Sequence, residues 1–135
     1  MKHISRTMIA AGALATLAFQ QARADVVVIV SAQSTTTRLT PGQIARIYQG
    51  KSNTMTPLDI RPPSSVRSEF YAKLVGSDAR VRAEWSKLLF TGKGSTPREL
   101  TQAQIVTAIA ANPNAIGYVD RTFVDMTVKV IYTVK

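Results

Sequence analysis

The chain is predicted to fold as one α/β domain, with a small parallel or mixed β-sheet flanked by helices. The five β-branched residues Val26–Val30 are typical of a strand buried on both faces, as in a sheet covered by helices. Several helix-start patterns follow, and two more strand-like segments lie near the carboxyl terminus. This alternation of strands and helices predicts a layered α/β fold.

The first helix is predicted to begin at Pro41. Thr40 can cap this helix and Gln43 can reach back to the cap, which together make a capping box. Gly50 can end the helix. The residues predicted to form its apolar stripe are Ile44, Ile47 and Tyr48.

A short strand, Thr56–Ile60, is predicted to lead into two further helices. Ser64 or Ser65 can cap the first of them and Ser77 can cap the second. Their predicted core positions are Val66, Phe70 and Leu74 in the first, and Val81, Trp85 and Leu88 in the second. At this spacing Trp85 is expected to pack in the core and not to form an exposed stacking platform.

A second capping box at Thr101–Gln104 predicts the last helix, which ends at Asn112. Its predicted core residues are Ile105, Val106 and Ile109. The segments Ala115–Val119 and Thr127–Thr133 are expected to be strands. In the first of these, Gly117 is expected to allow close approach of a neighbouring backbone.

Residues 1–24 have the layout of a secretory signal peptide. A positively charged start is followed by the mostly apolar run Thr7–Phe19 and by the small-x-small cleavage pattern Ala22–Ala24. The apolar run is shorter than the roughly 20 residues of a membrane-spanning helix. The mature protein is therefore expected to be residues 25–135, periplasmic or secreted, with no membrane span.

The composition of the mature chain limits its chemistry. Fourteen basic and eight acidic residues remain, a net charge of +6, which favours acidic ligands or polyanions. There is no cysteine, and the only histidine, His3, lies in the predicted signal peptide. The usual zinc sites, Cys nucleophiles and Ser-His-Asp triads are thereby excluded. We expect no metal, no cofactor and no enzymatic activity, since no pattern brings a lysine base to a serine.

The segment from Arg61 to Phe70 holds the candidate site. Ser64 and Ser65 stand at the predicted start of a helix, with Arg61 before them and Arg67 after them. A helix start has unpaired N–H groups and the positive end of the helix dipole, which suit phosphate or sulfate. We therefore expect these hydroxyl and guanidinium groups to converge, facing outward, on an oxyanion. The alternative is that the serines only cap the helix.

The order of four segments resembles the phosphate-binding proteins of ABC transporters, in the periplasmic-binding-protein-like superfamily. These segments are Leu39–Lys51, Arg61–Phe70, Trp85–Gly92 and Pro113–Val119. The resemblance covers nearly the whole mature chain. It implies one lobe of a type II periplasmic-binding-protein-like fold, whereas fully functional members have two lobes that close over the anion.

Within the shared loop, the resemblance matches Arg61 to the family's first Arg and Ser64–Arg67 to its Ser-Gly-Thr-Arg stretch. Ser65 replaces a glycine, and Val66 replaces a hydroxyl donor. Pro62–Pro63 stands where the family has an acid and N–H donors, and prolines have no N–H. The resemblance therefore implies weak or altered anion recognition.

The function implied is an exported solute-binding-like protein, whose partners would be phosphate or a similar oxyanion and a transporter or second subunit that completes the site. The alternative is a non-catalytic periplasmic scaffold or interaction module that has lost anion binding. Nucleic acid is not expected as a partner, because the chain is predicted to be exported and its aromatic residues have core spacing.

Overall fold

A computed structural model of the protein describes residues 24–92, 94 and 96–135. The predicted signal peptide, except for Ala24, lies outside these residues, and so does Lys93. Within the described ranges, no helix is both long enough and apolar enough to cross a membrane.

The described chain alternates between strands and helices. Its strands are β1 (Val26–Ser31), β2 (Thr56–Ile60), β3 (Arg98–Leu100), β4 (Ala115–Asp120) and β5 (Val128–Thr133). Its α-helices are α1 (Pro41–Tyr48), α2 (Ser65–Phe70), α3 (Asp78–Phe90) and α4 (Gln102–Ala111). A π-helical segment, Tyr71–Val75, continues α2, and a 3₁₀ turn, Arg121–Phe123, follows β4.

The five strands form one mixed sheet in the order β3-β2-β4-β1-β5. β2 pairs in parallel with β3 and with β4, whereas β1 pairs antiparallel with β4 and with β5. The predicted α/β domain with a small mixed sheet is confirmed. The predicted strands at residues 115–119 and 127–133 agree with β4 and β5 to within one residue.

Helices cover both faces of this sheet. Gly117 of β4 faces α4, and a Cβ there would lie 2.8 Å from Ile105 Cγ2. The next residue, Tyr118, faces the other side and stacks on Phe70 of α2, with ring centroids 3.8 Å apart. Gly117 thus allows a close approach, but the expectation that a backbone would approach is wrong, because the near neighbours are side chains of α4.

The helix starts are confirmed, including both capping boxes and the Ser64 and Ser77 caps. Leu74 packs against the core but is only partly buried, and the buried residues of the π-helical segment are Tyr71 and Val75. A π-helical turn contains more residues than an α-helical one, so the buried face moves on by one position.

The strand β3 was not predicted. It has three residues, of which only Leu100 is buried, so it lacks the alternating pattern that identifies a strand. Its parallel pairing with β2 joins Ile60 to Leu100 and so brings the ends of these two strands together.

Candidate functional site

The parallel strands β2, β3 and β4 all end at one edge of the sheet, which we call the carboxyl edge. Their last residues are Ile60, Leu100 and Asp120. α2 begins shortly after β2, and α4 begins directly after β3, so two helix amino termini lie at this edge. In open α/β sheets, ligands bind outside the carboxyl ends of the strands.

An open recess of about 500 Å³ lies at this edge, and we call it the carboxyl-edge recess. Its lining residues are Ile60, Arg61, Pro62, Pro63, Ser64, Ser65, Val66, Thr101 and Gln102. Three of the four predicted site residues are therefore brought together here. Arg67 does not line this recess.

Arg61 provides the positive charge of the recess. Its backbone N–H donates to the Leu100 carbonyl at 3.0 Å, which continues the pairing of β2 with β3. Its side chain is exposed, and the guanidinium Nη2 reaches the Glu99 carbonyl at 3.5 Å. Because that contact is with a neutral group, the charge of Arg61 remains available to an anion.

The two serines have different surroundings. The Ser64 Oγ accepts a hydrogen bond from the Arg67 N–H at 3.1 Å, so Ser64 is the N-cap of α2. Capping uses a lone pair of Ser64 Oγ and leaves its O–H free to donate. Ser65, the first residue of α2, is exposed. The capping interpretation therefore holds for Ser64, and it is compatible with a second role as a donor.

Arg67 points into the molecule. It is only 7% exposed, and its Nη1 lies 2.9 Å from Asp59 Oδ1 and 2.9 Å from the Ile60 carbonyl oxygen. Its Nη2 donates to Asp78 Oδ1 at 3.1 Å. The expected outward-facing convergence of both arginines is therefore wrong for Arg67. A direct contact between Arg67 and a ligand stays a prediction.

Asp59 is the centre of this buried polar cluster. Its carboxylate accepts hydrogen bonds from the Tyr71 and Tyr118 hydroxyls and from the Ile60 N–H. Burial, and then the negative charge of Asp59, raise the pKa of Tyr71 and Tyr118 well above the usual value. Burial by itself would lower the pKa of Arg67, but Asp59, with smaller contributions from Tyr71, Tyr118 and Asp78, more than offsets this, so the pKa is raised. The cluster therefore keeps neutral tyrosines around one ion pair.

Thr101 and Gln102 line the recess although neither was predicted as a site residue. Thr101 caps α4, and its Oγ1 accepts from the Gln104 N–H at 3.3 Å. The Gln102 Oε1 accepts from the Asp120 N–H at 2.7 Å, which leaves the Nε2 group as a donor. The capping box indicates where α4 begins. The start of α4 lies beside Arg61 because β3 pairs with β2, and the sequence pattern does not reveal β3.

The acidic residues nearest to the recess are engaged elsewhere. The Asp120 Oδ1 accepts from the Thr122 N–H at 3.0 Å and from the Thr122 Oγ1 at 2.8 Å, and the backbone hydrogen bond lowers the pKa of Asp120. The Glu99 carboxylate lies 3.6 Å from Arg67 Nη1. No carboxylate among the described residues lines the recess, so its electrostatic character is positive.

Trp85 is confirmed as a packing residue. It is half-buried against the core, and its Nε1 donates to the Tyr48 carbonyl at 2.9 Å. Two candidate lysine bases form exposed ion pairs with nearby glutamates: Lys73 Nζ lies 2.7 Å from Glu69, and Lys87 Nζ lies 3.7 Å from Glu84.

Comparisons with known proteins identify the fold. No protein-family model matches the chain, and no curated protein matches it by sequence. Solved structures do match. They include an ABC-type phosphate transport receptor from Vibrio cholerae (TM-score 0.62, 19% identity) and a putative phosphate ABC transporter substrate-binding protein with bound phosphate from Clostridium perfringens (0.62, 20%). PstS from Borrelia burgdorferi also matches (TM-score 0.59, 11% identity).

Each match covers 79% of this chain, but only 45%, 44% and 46% of those three proteins respectively. The chain thus spans less than half of the length of these receptors. At this level of identity the likeness shows the fold alone. The predicted fold, a single lobe of the periplasmic-binding-protein-like type, is confirmed.

Proposed function

We propose that this protein is a solute-binding lobe that holds phosphate or a similar oxyanion weakly in the carboxyl-edge recess. One observation carries the proposal. The exposed guanidinium of Arg61 and the amino termini of α2 and α4 lie at one recess, and no carboxylate among the described residues lines it. Ser64, Ser65 and Gln102 add donors around it. The proposed role is binding, with no chemical step.

Helix amino termini and arginine favour anions for complementary reasons. The N–H groups of the first turn point out of the helix and carry partial positive charge. The guanidinium adds a full charge and a planar set of donors. The recess is open on one side, so a bound anion keeps part of its hydration. Tight sites bury most of their ligand, and we therefore place the affinity near the millimolar range, about 4 kcal/mol.

The names of the matched structures support the same ligand class, since they are phosphate receptors and one of them contains phosphate. In our proposal the chain is exported after cleavage near Ala24, as its first residues predict. A transporter component or a second subunit would form the opposite wall of the site.

Isothermal titration calorimetry with phosphate and with sulfate tests the proposal. We expect the parent protein to bind with a dissociation constant near one millimolar. Arg61→Ala should weaken binding by about 10- to 100-fold, because a charge-assisted hydrogen bond is lost. Arg80→Ala is the matched control: Arg80 is also exposed, but it lies on α3 and away from the recess.

Two results would count against this function. One is the absence of heat from the parent protein at millimolar anion, which would favour the scaffold interpretation. The other is equal loss of binding in Arg61→Ala and Arg80→Ala, which would indicate attraction of anions by net charge and not a site.

A further inference from the structure

Arg67 has an unusual position for a charged residue next to a candidate ligand site. Its side chain is 9% exposed, yet the guanidinium reaches carboxylates on three separate elements: Asp59 of β2, Asp78 of α3 and Glu99 of β3. It also lies over the Tyr71 ring, 4.6 Å from the ring centroid. These contacts occupy the guanidinium with groups of the protein itself.

Both ends of Arg67 also hold the loop that carries the recess. At one end, its backbone N–H donates to Ser64 Oγ at 3.1 Å. At the other, its Nη1 donates to the carbonyl of Ile60, the last residue of β2, at 2.9 Å. The loop from Arg61 to Ser64 lies between these two bonds. Arg67 therefore closes this loop across its base.

The charge balance around Arg67 argues against a ligand contact. Asp59 is 3% exposed and lies 2.9 Å from the guanidinium, so the pair is removed from solvent. An anion that drew Arg67 outward would leave the buried Asp59 carboxylate without its cation. Breaking a buried ion pair in this way is strongly unfavourable.

We propose that Arg67 is the positioning residue of the carboxyl-edge recess: it fixes the loop from Arg61 to Ser64 and does not touch the anion. This inference rests on the proposed function for the identity of the ligand, but the fixing of the loop is measurable without any ligand. Arg61 and Arg67 thus have separate roles, one electrostatic and one geometric.

Nitrogen-15 NMR of the arginine side chains distinguishes the two roles. On titration with inorganic phosphate, the Nε–H resonance of Arg61 should shift. The resonance of Arg67 should shift by only a small fraction of the change seen for Arg61. A shift of Arg67 as large as that of Arg61 would overturn the inference. If phosphate moves no resonance at all, the proposed function fails, and the loop measurements below decide the positioning role alone.

Amide hydrogen exchange of variants tests the fixing of the loop. In Arg67→Met, exchange of the Arg61 amide, which donates to Leu100, should accelerate at least tenfold more than exchange of Ile29, which is buried in the interior strand β1. Ile29 reports global unfolding, so the difference isolates local opening. Equal acceleration at both positions, or none, would contradict the role.

Two further variants keep the test decisive if Arg67→Met does not fold. Asp78→Asn removes one partner of the guanidinium at a partly exposed position and should accelerate Arg61 exchange by a smaller factor. Arg67→Lys retains a donor for Ile60 and Asp59 and should keep part of the parent's protection at Arg61 and part of its phosphate affinity. Parent-like exchange in Asp78→Asn, or complete loss of Arg61 protection in folded Arg67→Lys, would overturn the inference.

Discussion

Ser64 and Ser65 are adjacent in sequence, but the loop gives them different tasks. Ser64 is half-buried and its Oγ accepts the Arg67 N–H, while its carbonyl accepts the Ser68 N–H at 3.0 Å. Ser65 is exposed at the edge of the recess. Ser64 is therefore tied to the stability of α2, and the side chain of Ser65 can contribute to the recess only through its hydroxyl.

Replacing each serine by alanine should separate these tasks. Ser64→Ala should lower the free energy of unfolding by about 1 kcal/mol, since the cap is lost. Ser65→Ala should change it by less than about 0.5 kcal/mol, as exposed substitutions usually do. It should nevertheless weaken phosphate binding severalfold. Denaturant unfolding and calorimetry measure the two effects, and parent-like binding in Ser65→Ala would remove that residue from the site.

Asp59 is a position where a single substitution should strongly affect stability. Asp59→Asn would leave the buried Arg67 guanidinium without its nearest counter-charge, so we expect a loss of about 3–5 kcal/mol in the free energy of unfolding. Glu84→Gln is the matched control, because the exposed pair of Glu84 with Lys87 should contribute less than about 1 kcal/mol. Similar urea midpoints for the two variants would show that the buried pair contributes little.

At the scale of elements, the sequence predicts what is local. The starts of α1 and α4 follow from capping boxes within four residues, and both lie where the pattern indicates. β3 and the direction of Arg67 depend on distant partners, namely the pairing of Leu58 with Arg98 and the carboxylate of Asp78. No local pattern contains that information. The helix starts of the site were thus predictable, but their meeting at one recess was not.

The contact between α4 and β4 can be tested at Gly117. Gly117→Ala would place a Cβ 2.8 Å from Ile105 Cγ2 and should cost about 1–3 kcal/mol, because the helix must move away from the sheet. Gly42→Ala is the comparison in α1, where the new Cβ has no neighbour closer than 4.0 Å. It should raise stability by up to about 1 kcal/mol. Thermal unfolding of both variants measures the difference in sign.

At the scale of the whole molecule, the carboxyl edge of the sheet lies between a buried polar cluster and an open polar recess. Beneath the carboxyl edge, Asp59 and its partners form a largely buried, hydrogen-bonded cluster, and among the described residues no buried polar side-chain atom lacks a hydrogen bond. Above the edge, Arg61 and the helix amino termini remain open to solvent. The first cluster is tied to the stability of the fold, whereas the exposed Arg61 side chain contacts a neutral carbonyl.

The buried tyrosines make the stability of the whole molecule sensitive to alkaline pH. Burial, followed by the charge of Asp59, raises the pKa of Tyr48, Tyr71 and Tyr118 above the value of 10.0 for an unperturbed tyrosine. Above that pH the unfolded chain releases these protons while the folded chain retains them. The stabilisation that these groups provide is thus complete below pH 10 and is lost as the pH rises towards their folded-state pKa values.

We expect the free energy of unfolding to fall by about 1.4 kcal/mol per pH unit for each tyrosine above pH 10. Urea titrations between about pH 9 and pH 11.5 measure the slope. Tyr71→Phe is the informative variant, because it removes one titrating group and should reduce the slope by about one third, whatever it does to stability at pH 7. A stability that stays constant across this range would contradict the burial of these tyrosines in their protonated form, since such burial couples folding to pH in this direction.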